Sequence, residues 1–221
     1  MAQGLFELQE CVPLAACQPV QDRGTSPVMN GHRKQVKHFH EPGDLHELTF
    51  SCYQRRPLLT IDLWRKMFCQ AIDAAIERHE FRLVAFVIMP EHVHLLVHPT
   101  TTNPDVSGLL SAIKRPFSFR IKQLLIEQNS TLLPKLMVRE RPGKTSFRFW
   151  QEGPGYDRNL HTQTAVLAAI DYIHNNPVAR KLVDQARDWK WSSYRWYEWD
   201  KQNVDPDLPT IHGLPWDFFT G

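Results

Sequence analysis

The chain has 221 residues, of which 42% are hydrophobic and 23% are charged, and its formal net charge is +2. This length provides enough apolar side chains for one folded domain, with or without extensions. No run of about 18 apolar residues is present, so no membrane span is predicted. The four cysteines form no CxxC pair, and the first residues lack the basic start and apolar stretch of a signal peptide. We therefore expect reduced thiols and a cytoplasmic location.

The first 44 residues show no sustained hydrophobic period. Pro13, Pro19, Pro27 and Pro42 are scattered through them among Gly and Gln. We interpret residues 1–44 as a flexible N-terminal arm that is basic near its end.

From residue 45 onward, the patterns alternate between strand and helix. They first predict a strand at 45–53, a helix at 60–79 capped by Thr60, and a hairpin with strands at 81–89 and 92–98. A helix at 106–128, interrupted or kinked near Pro116, and a basic loop at 131–142 are predicted next. A fourth strand at 147–150 and a helix at 164–175 complete the predicted order. This order favours an α+β fold, a ferredoxin-like (RRM-like) antiparallel sheet with helices on one face.

The second strand of the hairpin carries two histidines on one face. Side chains at i and i+2 of a strand point the same way, about 6.6–7 Å apart at Cα. His92 and His94 therefore share a face with Leu96, whereas Val93, Leu95 and Val97 point to the core. Two imidazoles at this spacing can bind one metal ion if a third ligand arrives from elsewhere. The alternative is a buried, hydrogen-bonded histidine pair.

The helix at 164–175 places a tyrosine away from its apolar stripe. The stripe spans about 120° of the helical wheel and consists of Val166, Leu167, Ile170 and Ile173. Tyr172 lies on the far side among alanines, which leaves space for a large substrate, and Asn176 follows one turn later. The alternatives are an ordinary half-exposed tyrosine, and an asparagine that caps a new helix starting at Pro177. His174 lies nearer the apolar edge and is interpreted as structural.

Positive charge is concentrated between residues 114 and 148. Nine Lys or Arg stand there against Glu127 and Glu140, giving +7, so the rest of the chain sums to −5. The pattern predicts a contact with a polyanion, and the alternative is a solvated face. The candidate contacts are Lys114, Arg115, Arg120, Lys122, Arg139, Arg141, Lys144 and Arg148.

Four motifs in order carry a resemblance to a known family. They are Met89–Val97 (MPEHVHLLV), Phe149–Gly153 (FWQEG), Tyr172–Val178 (YIHNNPV) and Trp189–Tyr194 (WKWSSY). Together they resemble the REP-associated tyrosine transposases, which belong to the HUH single-tyrosine superfamily. The resemblance covers residues 45–197, the expected catalytic domain, and leaves 198–221 as a C-terminal tail.

The resemblance implies a fold, a chemistry and a substrate. It implies a ferredoxin-like domain in which His92, His94 and Asn176 bind a divalent metal, Mg²⁺ or Mn²⁺, and Tyr172 attacks the scissile phosphodiester. The implied partner is single-stranded DNA with hairpin or palindromic elements, which is cut and rejoined through a 5′-phosphotyrosine intermediate. The resemblance also implies a monomer or homodimer that is associated with the nucleoid, and no membrane is implied. Two departures stand out: Glu91 replaces a common Asn, and Arg180-Lys181 replaces a small pair ending in Gly.

Two rival functions are left open by the sequence. One is a domesticated DNA-binding protein that keeps the fold without cleaving. The other is a replication-initiating or conjugative HUH nuclease, although such enzymes often carry a paired tyrosine and no second tyrosine lies on the helix of Tyr172. A metallohydrolase is less favoured, because no His-Glu-x-x-His or carboxylate cluster is present.

Overall fold

The computed structural model describes residues 44–153, 155–199, 205–215 and 218. The predicted arm therefore lies outside the described residues except for Asp44, and the predicted tail is described only in part. Within the described ranges, no helix is long and apolar enough to cross a bilayer.

The described chain contains one main sheet, one small hairpin and helices that cover the main sheet. The strands are β1 (Leu45–Ser51), β2 (Phe81–Ile88), β3 (His92–Pro99), β4 (Met137–Arg141), β5 (Lys144–Phe147) and β6 (Tyr156–Leu160). The helices are α1 (Asp62–Arg78), α2 (Val106–Glu127), α3 (Leu132–Leu136), α4 (Gln163–Ala179) and α5 (Tyr194–Glu198).

The main sheet has the strand order β2-β3-β1-β6, and every pair in it is antiparallel. This is the order of a ferredoxin-like fold, so the predicted α+β fold with an antiparallel sheet is confirmed, but the helices lie on both faces of the sheet and not on one as predicted. The fourth strand, however, is β6 and not the predicted segment 147–150. Phe149 and Trp150 are both buried in an aromatic cluster with Phe68 and Phe117 instead of alternating between two faces.

The sheet buries both faces, each against different helices. Helices α1 and α2 cover the face of Val93 and Leu95, as the alternation predicted. The structure adds α4 on the opposite face, where Val166 and Ile170 pack against Val87 and Leu96. The face that carries the histidines is therefore partly covered by the helix that carries Tyr172.

Three local predictions are corrected by the structure. The predicted loop at 131–142 instead forms α3 and β4, because Pro142-Gly143 makes a turn with Gly143 at φ +76° that pairs β4 with β5. Helix α1 begins after Ile61, and the Thr60 hydroxyl contacts the Pro57 carbonyl instead of capping it. Helix α2 is assigned without a break through Pro116, which lies on its exposed side.

A buried hydrogen-bond network ties α4 to the segment that follows it. Ser193 Oγ accepts from the Phe86 amide at 2.9 Å and lies 2.8 Å from His174 Nε2. Burial lowers the pKa of His174 to about 4, so the ring is neutral at pH 7. This confirms the structural interpretation of His174, and the network fixes the helix that presents Tyr172.

Candidate active site

His92 and His94 of β3 lie side by side on one face, as predicted. Both are at least nine-tenths buried, and their ring centroids are 4.9 Å apart with planes at 84°. The spacing follows from their i and i+2 positions on the strand.

Hydrogen bonds to neighbouring residues orient both rings. Thr49 lies directly opposite His94 in the register of β1 and β3, and its Oγ1 is 2.8 Å from His94 Nδ1. A proton on Nδ1 that is donated to this hydroxyl leaves the lone pair on Nε2, directed toward α4. His92 Nδ1 is 3.1 Å from Glu91 Oε1. The ring nitrogens on the sides away from Thr49 and Glu91 are therefore the ones available to a ligand.

The environment disfavours the charged form of both imidazoles. Burial and, to a smaller extent, the neighbouring His92 lower the pKa of His94 to about 3. Burial also lowers the pKa of His92, although the Glu91 carboxylate acts in the opposite direction. Neutral imidazole is the form that binds metal ions.

Helix α4 brings Asn176 to the histidines. Thr162 caps the helix by accepting a hydrogen bond from the Ala165 amide at 3.2 Å. The helix runs through Pro177 to Ala179, so Asn176 lies inside it and does not cap a new helix there. Its Nδ2 is 3.3 Å from His94 Nε2, and its Oδ1 is buried without a hydrogen-bond partner among the described residues.

Tyr172 lies one turn before Asn176 and faces the solvent. Its side chain is 55% exposed, and its ring centroid is 5.3 Å from that of His94, with the two planes at 89°. The helical wheel therefore placed Tyr172 correctly outside the apolar stripe. The same wheel wrongly placed Leu167 in the stripe, because this residue is exposed.

An open pocket of about 380 Å³ lies in front of Tyr172. Its lining residues are Glu47, Thr49, His94, Tyr156, Arg158 and Tyr172. Sequence reasoning missed four of these residues, which come from β1 and β6. Their shared position on one sheet face depends on the pairing of β1 with β6, and β6 had not been predicted.

The two departures from the family pattern contact each other. Arg180, just past α4, donates a hydrogen bond from Nη2 to Glu91 Oε1, which joins the end of α4 to the turn before the histidines. Burial acts to raise the pKa of the Glu91 carboxyl, but the hydrogen bond from Arg180 and the electrostatic interaction with the neighbouring His92 outweigh it and lower that pKa. Lys181 has φ +57°, a conformation that glycine adopts at lower cost. Arg180 and Glu91 thus form an ion pair that links the end of α4 to the turn before the histidines.

The eight candidate DNA contacts are not gathered around Tyr172. Helix α2 packs on the face of the sheet opposite the histidines. Lys114 is half-buried with Nζ 4.5 Å from the centroid of the Phe50 ring, and burial lowers its pKa to about 8. The remaining candidates divide into two groups. Arg115, Arg120, Arg139 and Arg141 are exposed and Lys122 is half-exposed, whereas Lys144 and Arg148 form ion pairs with Glu140.

Comparison with known proteins places these residues in a family context. The family model described as "Transposase IS200 like" matches residues 45–175. A Haemophilus influenzae protein named as a REP-associated tyrosine transposase is 27% identical over 127 residues, which cover 58% of this chain and 66% of that protein. The matched part thus spans just under two thirds of the relative's length.

A solved structure has the same fold. It is the structure of a REP-associated tyrosine transposase bound to a REP hairpin, with a TM-score of 0.57 and 19% sequence identity. The match covers 83% of this chain and 95% of that one. The resemblance inferred from the four motifs is confirmed, and since the family model spans more than half of the chain, including His92, His94 and Tyr172, this protein belongs to the IS200-like transposase family.

Proposed function

We propose that this protein nicks and rejoins single-stranded DNA beside hairpins through a 5′-phosphotyrosine on Tyr172. Membership of a transposase family supports DNA as the substrate. The hairpin bound to the structural relative supports a substrate that contains a hairpin. The observation that carries the proposal is the placement of an exposed tyrosine against His94, one helical turn from a buried Asn176.

Tyr172 is suited to act as the nucleophile because its ring stands at the edge of an open pocket. Its Oη would attack the phosphorus, forming a bond to the 5′-side phosphate as the bond to the 3′ oxygen breaks and the phenol proton is lost. The released 3′-hydroxyl, or that of another strand, would reverse the step. The hydrogen bonds that His94 makes with Thr49 and Asn176 hold the ring against which Tyr172 packs.

A divalent metal, Mg²⁺ or Mn²⁺ as the family implies, fits the residues present. No cluster of three His, Cys, Asp or Glu side chains that could bind a metal occurs in the described ranges, so a third ligand has to be of another type. The partnerless Oδ1 of Asn176 supplies a hard oxygen beside two neutral imidazoles. When bound, the ion would polarise a phosphate oxygen. His92, His94 and Asn176 would hold it, and Thr49 and Glu91 would fix the histidine orientations.

The substrate class is tested with matched oligonucleotides. We expect nicking beside the stem in a labelled single strand that contains a hairpin. We expect no nicking in a control strand of the same base composition whose stem sequence is scrambled. Candidate stems come from sequencing single strands selected by the purified protein. Specific binding without nicking in Mg²⁺ or Mn²⁺ would contradict the proposal and favour a DNA-binding protein that does not cleave.

The basic residues of α2 predict a specific salt dependence. Each phosphate contact that is lost reduces the slope of log affinity against log salt by about 0.7 for single strands. A variant with Arg115→Gln, Arg120→Gln and Lys122→Gln should therefore flatten the slope by about two units. Lys114 is left unchanged because it packs on Phe50.

The control for this prediction removes positive charge elsewhere on the surface. Arg78 and Arg82 are both exposed. Arg78 lies at the end of α1, and Arg82 lies on β2, the edge strand of the main sheet that is farthest from β6. Changing both to Gln should leave the slope as in the wild type. Equal slopes for the wild type and the α2 variant would show that the α2 charge is only a solvated face.

A further inference from the structure

We propose that Tyr156 and Arg158 form a subsite for the nucleotide next to the cleaved phosphodiester, where Tyr156 stacks on the base and Arg158 contacts the backbone phosphate. The inference rests on the proposed function, because it takes the pocket before Tyr172 as the site of cleavage. It adds residues of β6 that lie outside all four sequence motifs and assigns them a ligand of defined chemistry.

The sheet register aligns Tyr156 with the histidine site. Tyr156 pairs with Thr49, and Thr49 pairs with His94, so the three residues form one row across β6, β1 and β3. Neighbouring strands are about 4.8 Å apart, which places Tyr156 about 10 Å from His94 along this row. Both tyrosines line the same pocket, Tyr156 from the sheet and Tyr172 from the helix.

The exposure of Tyr156 distinguishes it from the other tyrosines. It is 56% exposed, and Tyr172 is the only other one of the five that is classed as exposed. Among the described strands, β6 is also an edge of the main sheet, so a single strand can approach it without displacing a described β-strand. An exposed aromatic ring beside a site for single-stranded nucleic acid is suited to base stacking, which tolerates any base.

Arg158 lies two residues after Tyr156, in the next row on the same face of the sheet, and is held in a fixed direction. Its Nε and Nη2 donate to Glu47 Oε2 at 3.0 and 2.6 Å, and Glu47 lies opposite it in the register. The Glu47 carboxylate is buried, whereas the Arg158 side chain is 48% exposed. An arginine anchored through two of its five N–H groups keeps the others in position for a phosphate oxygen.

A glycine makes this arrangement possible. Gly155 has φ +85°, and a Cβ added there would lie 2.3 Å from the Thr49 carbonyl oxygen. The backbone before Tyr156 can therefore approach β1 only with glycine at this position. The consequence is that the tyrosine ring starts the row that ends at His94.

The same loop connects the pocket to the basic helix. Gly153, two residues before Gly155, lines another pocket with Lys114 and Arg115 of α2. A strand that leaves Tyr172 across Tyr156 would therefore reach Arg115 around the free edge of the sheet. This path joins two surfaces that lie on opposite faces of the sheet.

The test combines protein variants with single abasic substitutions along a cognate oligonucleotide. Affinity is measured by fluorescence anisotropy in EDTA, so that cleavage does not interfere. Tyr156→Ala should weaken binding about 5- to 100-fold, as loss of one base–aromatic stack does. An abasic site at one position beside the cut should weaken binding to the wild type by a similar factor. The same abasic site should cause no further loss of affinity for Tyr156→Ala.

Three further variants separate stacking from other roles. Tyr156→Phe keeps the ring and should retain the affinity and the loss of affinity at the same abasic position. Arg158→Lys should lose affinity, with an equal loss at every abasic position. Trp199→Ala removes an exposed aromatic side chain that lines a different pocket, and should bind as the wild type does.

The outcomes distinguish this subsite from the proposed function. Wild-type affinity of Tyr156→Ala at every oligonucleotide position would overturn the subsite, even if Tyr172→Phe abolished cleavage. Loss of affinity in Tyr156→Phe would also overturn it, because Tyr156 would then be acting through its hydroxyl. Conversely, the predicted binding results could be obtained with a protein that does not cleave DNA. That outcome would support the subsite and contradict only the proposed function.

Discussion

Tyr172→Phe is expected to bind hairpin DNA with wild-type affinity and to form no covalent protein–DNA complex. The substitution removes one oxygen from a half-exposed ring and leaves the contact with His94 in place, so we expect little change in stability. Loss of a catalytic nucleophile typically costs at least about 10³-fold in rate. Cleavage of a labelled hairpin substrate, followed on a denaturing gel, should therefore fall by about that factor or more.

Tyr53→Phe is the control for this result. Tyr53 is half-exposed and does not line the pocket of Tyr172, and its hydroxyl accepts a hydrogen bond only from Gln54 Nε2 at 3.2 Å among the described contacts. This variant should cleave like the wild type. If Tyr172→Phe cleaved at the wild-type rate, Tyr172 would not be the nucleophile.

His94→Ala should abolish nicking while binding of the hairpin stays within a few fold. The substitution removes the Nε2 lone pair that faces Asn176, and with it one proposed ligand. It also leaves Thr49 without its 2.8 Å partner, so the variant should lose about 1–3 kcal/mol of stability. Assays are therefore run well below its unfolding temperature.

A second readout separates metal binding from catalysis. A metal that binds only the folded state raises the unfolding temperature, so Mn²⁺ should stabilise the wild type and not His94→Ala. His98→Ala removes a histidine from the same strand, outside the proposed ligands, and should behave like the wild type in both assays. Full-rate nicking by the wild type or His94→Ala in EDTA would contradict the metal site.

Local periodicity was sufficient to predict half of this site. On β3, Val93 and Leu95 alternate with His92 and His94. Successive side chains of a strand point to opposite faces of the sheet, so the apolar pair identified the core face and the two histidines identified the other face. On α4 the period of 3.6 residues placed Tyr172 outside the stripe. The pairings also agreed with a ferredoxin-like order, since the tight turn at Pro90-Glu91 requires β2 and β3 to be neighbours.

The remaining half depended on contacts between residues distant in sequence. Strand β6 reads Tyr-Asp-Arg-Asn-Leu, which has few residues typical of strands, and its pairing with β1 makes it a strand. The sequence around Pro177 signals a helix end, yet α4 continues through it because Asn176 and Pro177 are buried within the structure. The contact between Glu91 and Arg180 spans 89 positions and could not be read from either local motif.

The most direct measurement is to identify the residue that carries DNA in the wild-type protein. The protein would be incubated with Mn²⁺ and a hairpin oligonucleotide labelled downstream of the cut, and the SDS-resistant complex digested with nuclease and protease for mass spectrometry. Our account predicts a single modified peptide, with a 5′-linked nucleotide on Tyr172. A nucleotide on Tyr156, Tyr194 or Tyr197, or cleavage without any covalent complex, would contradict it.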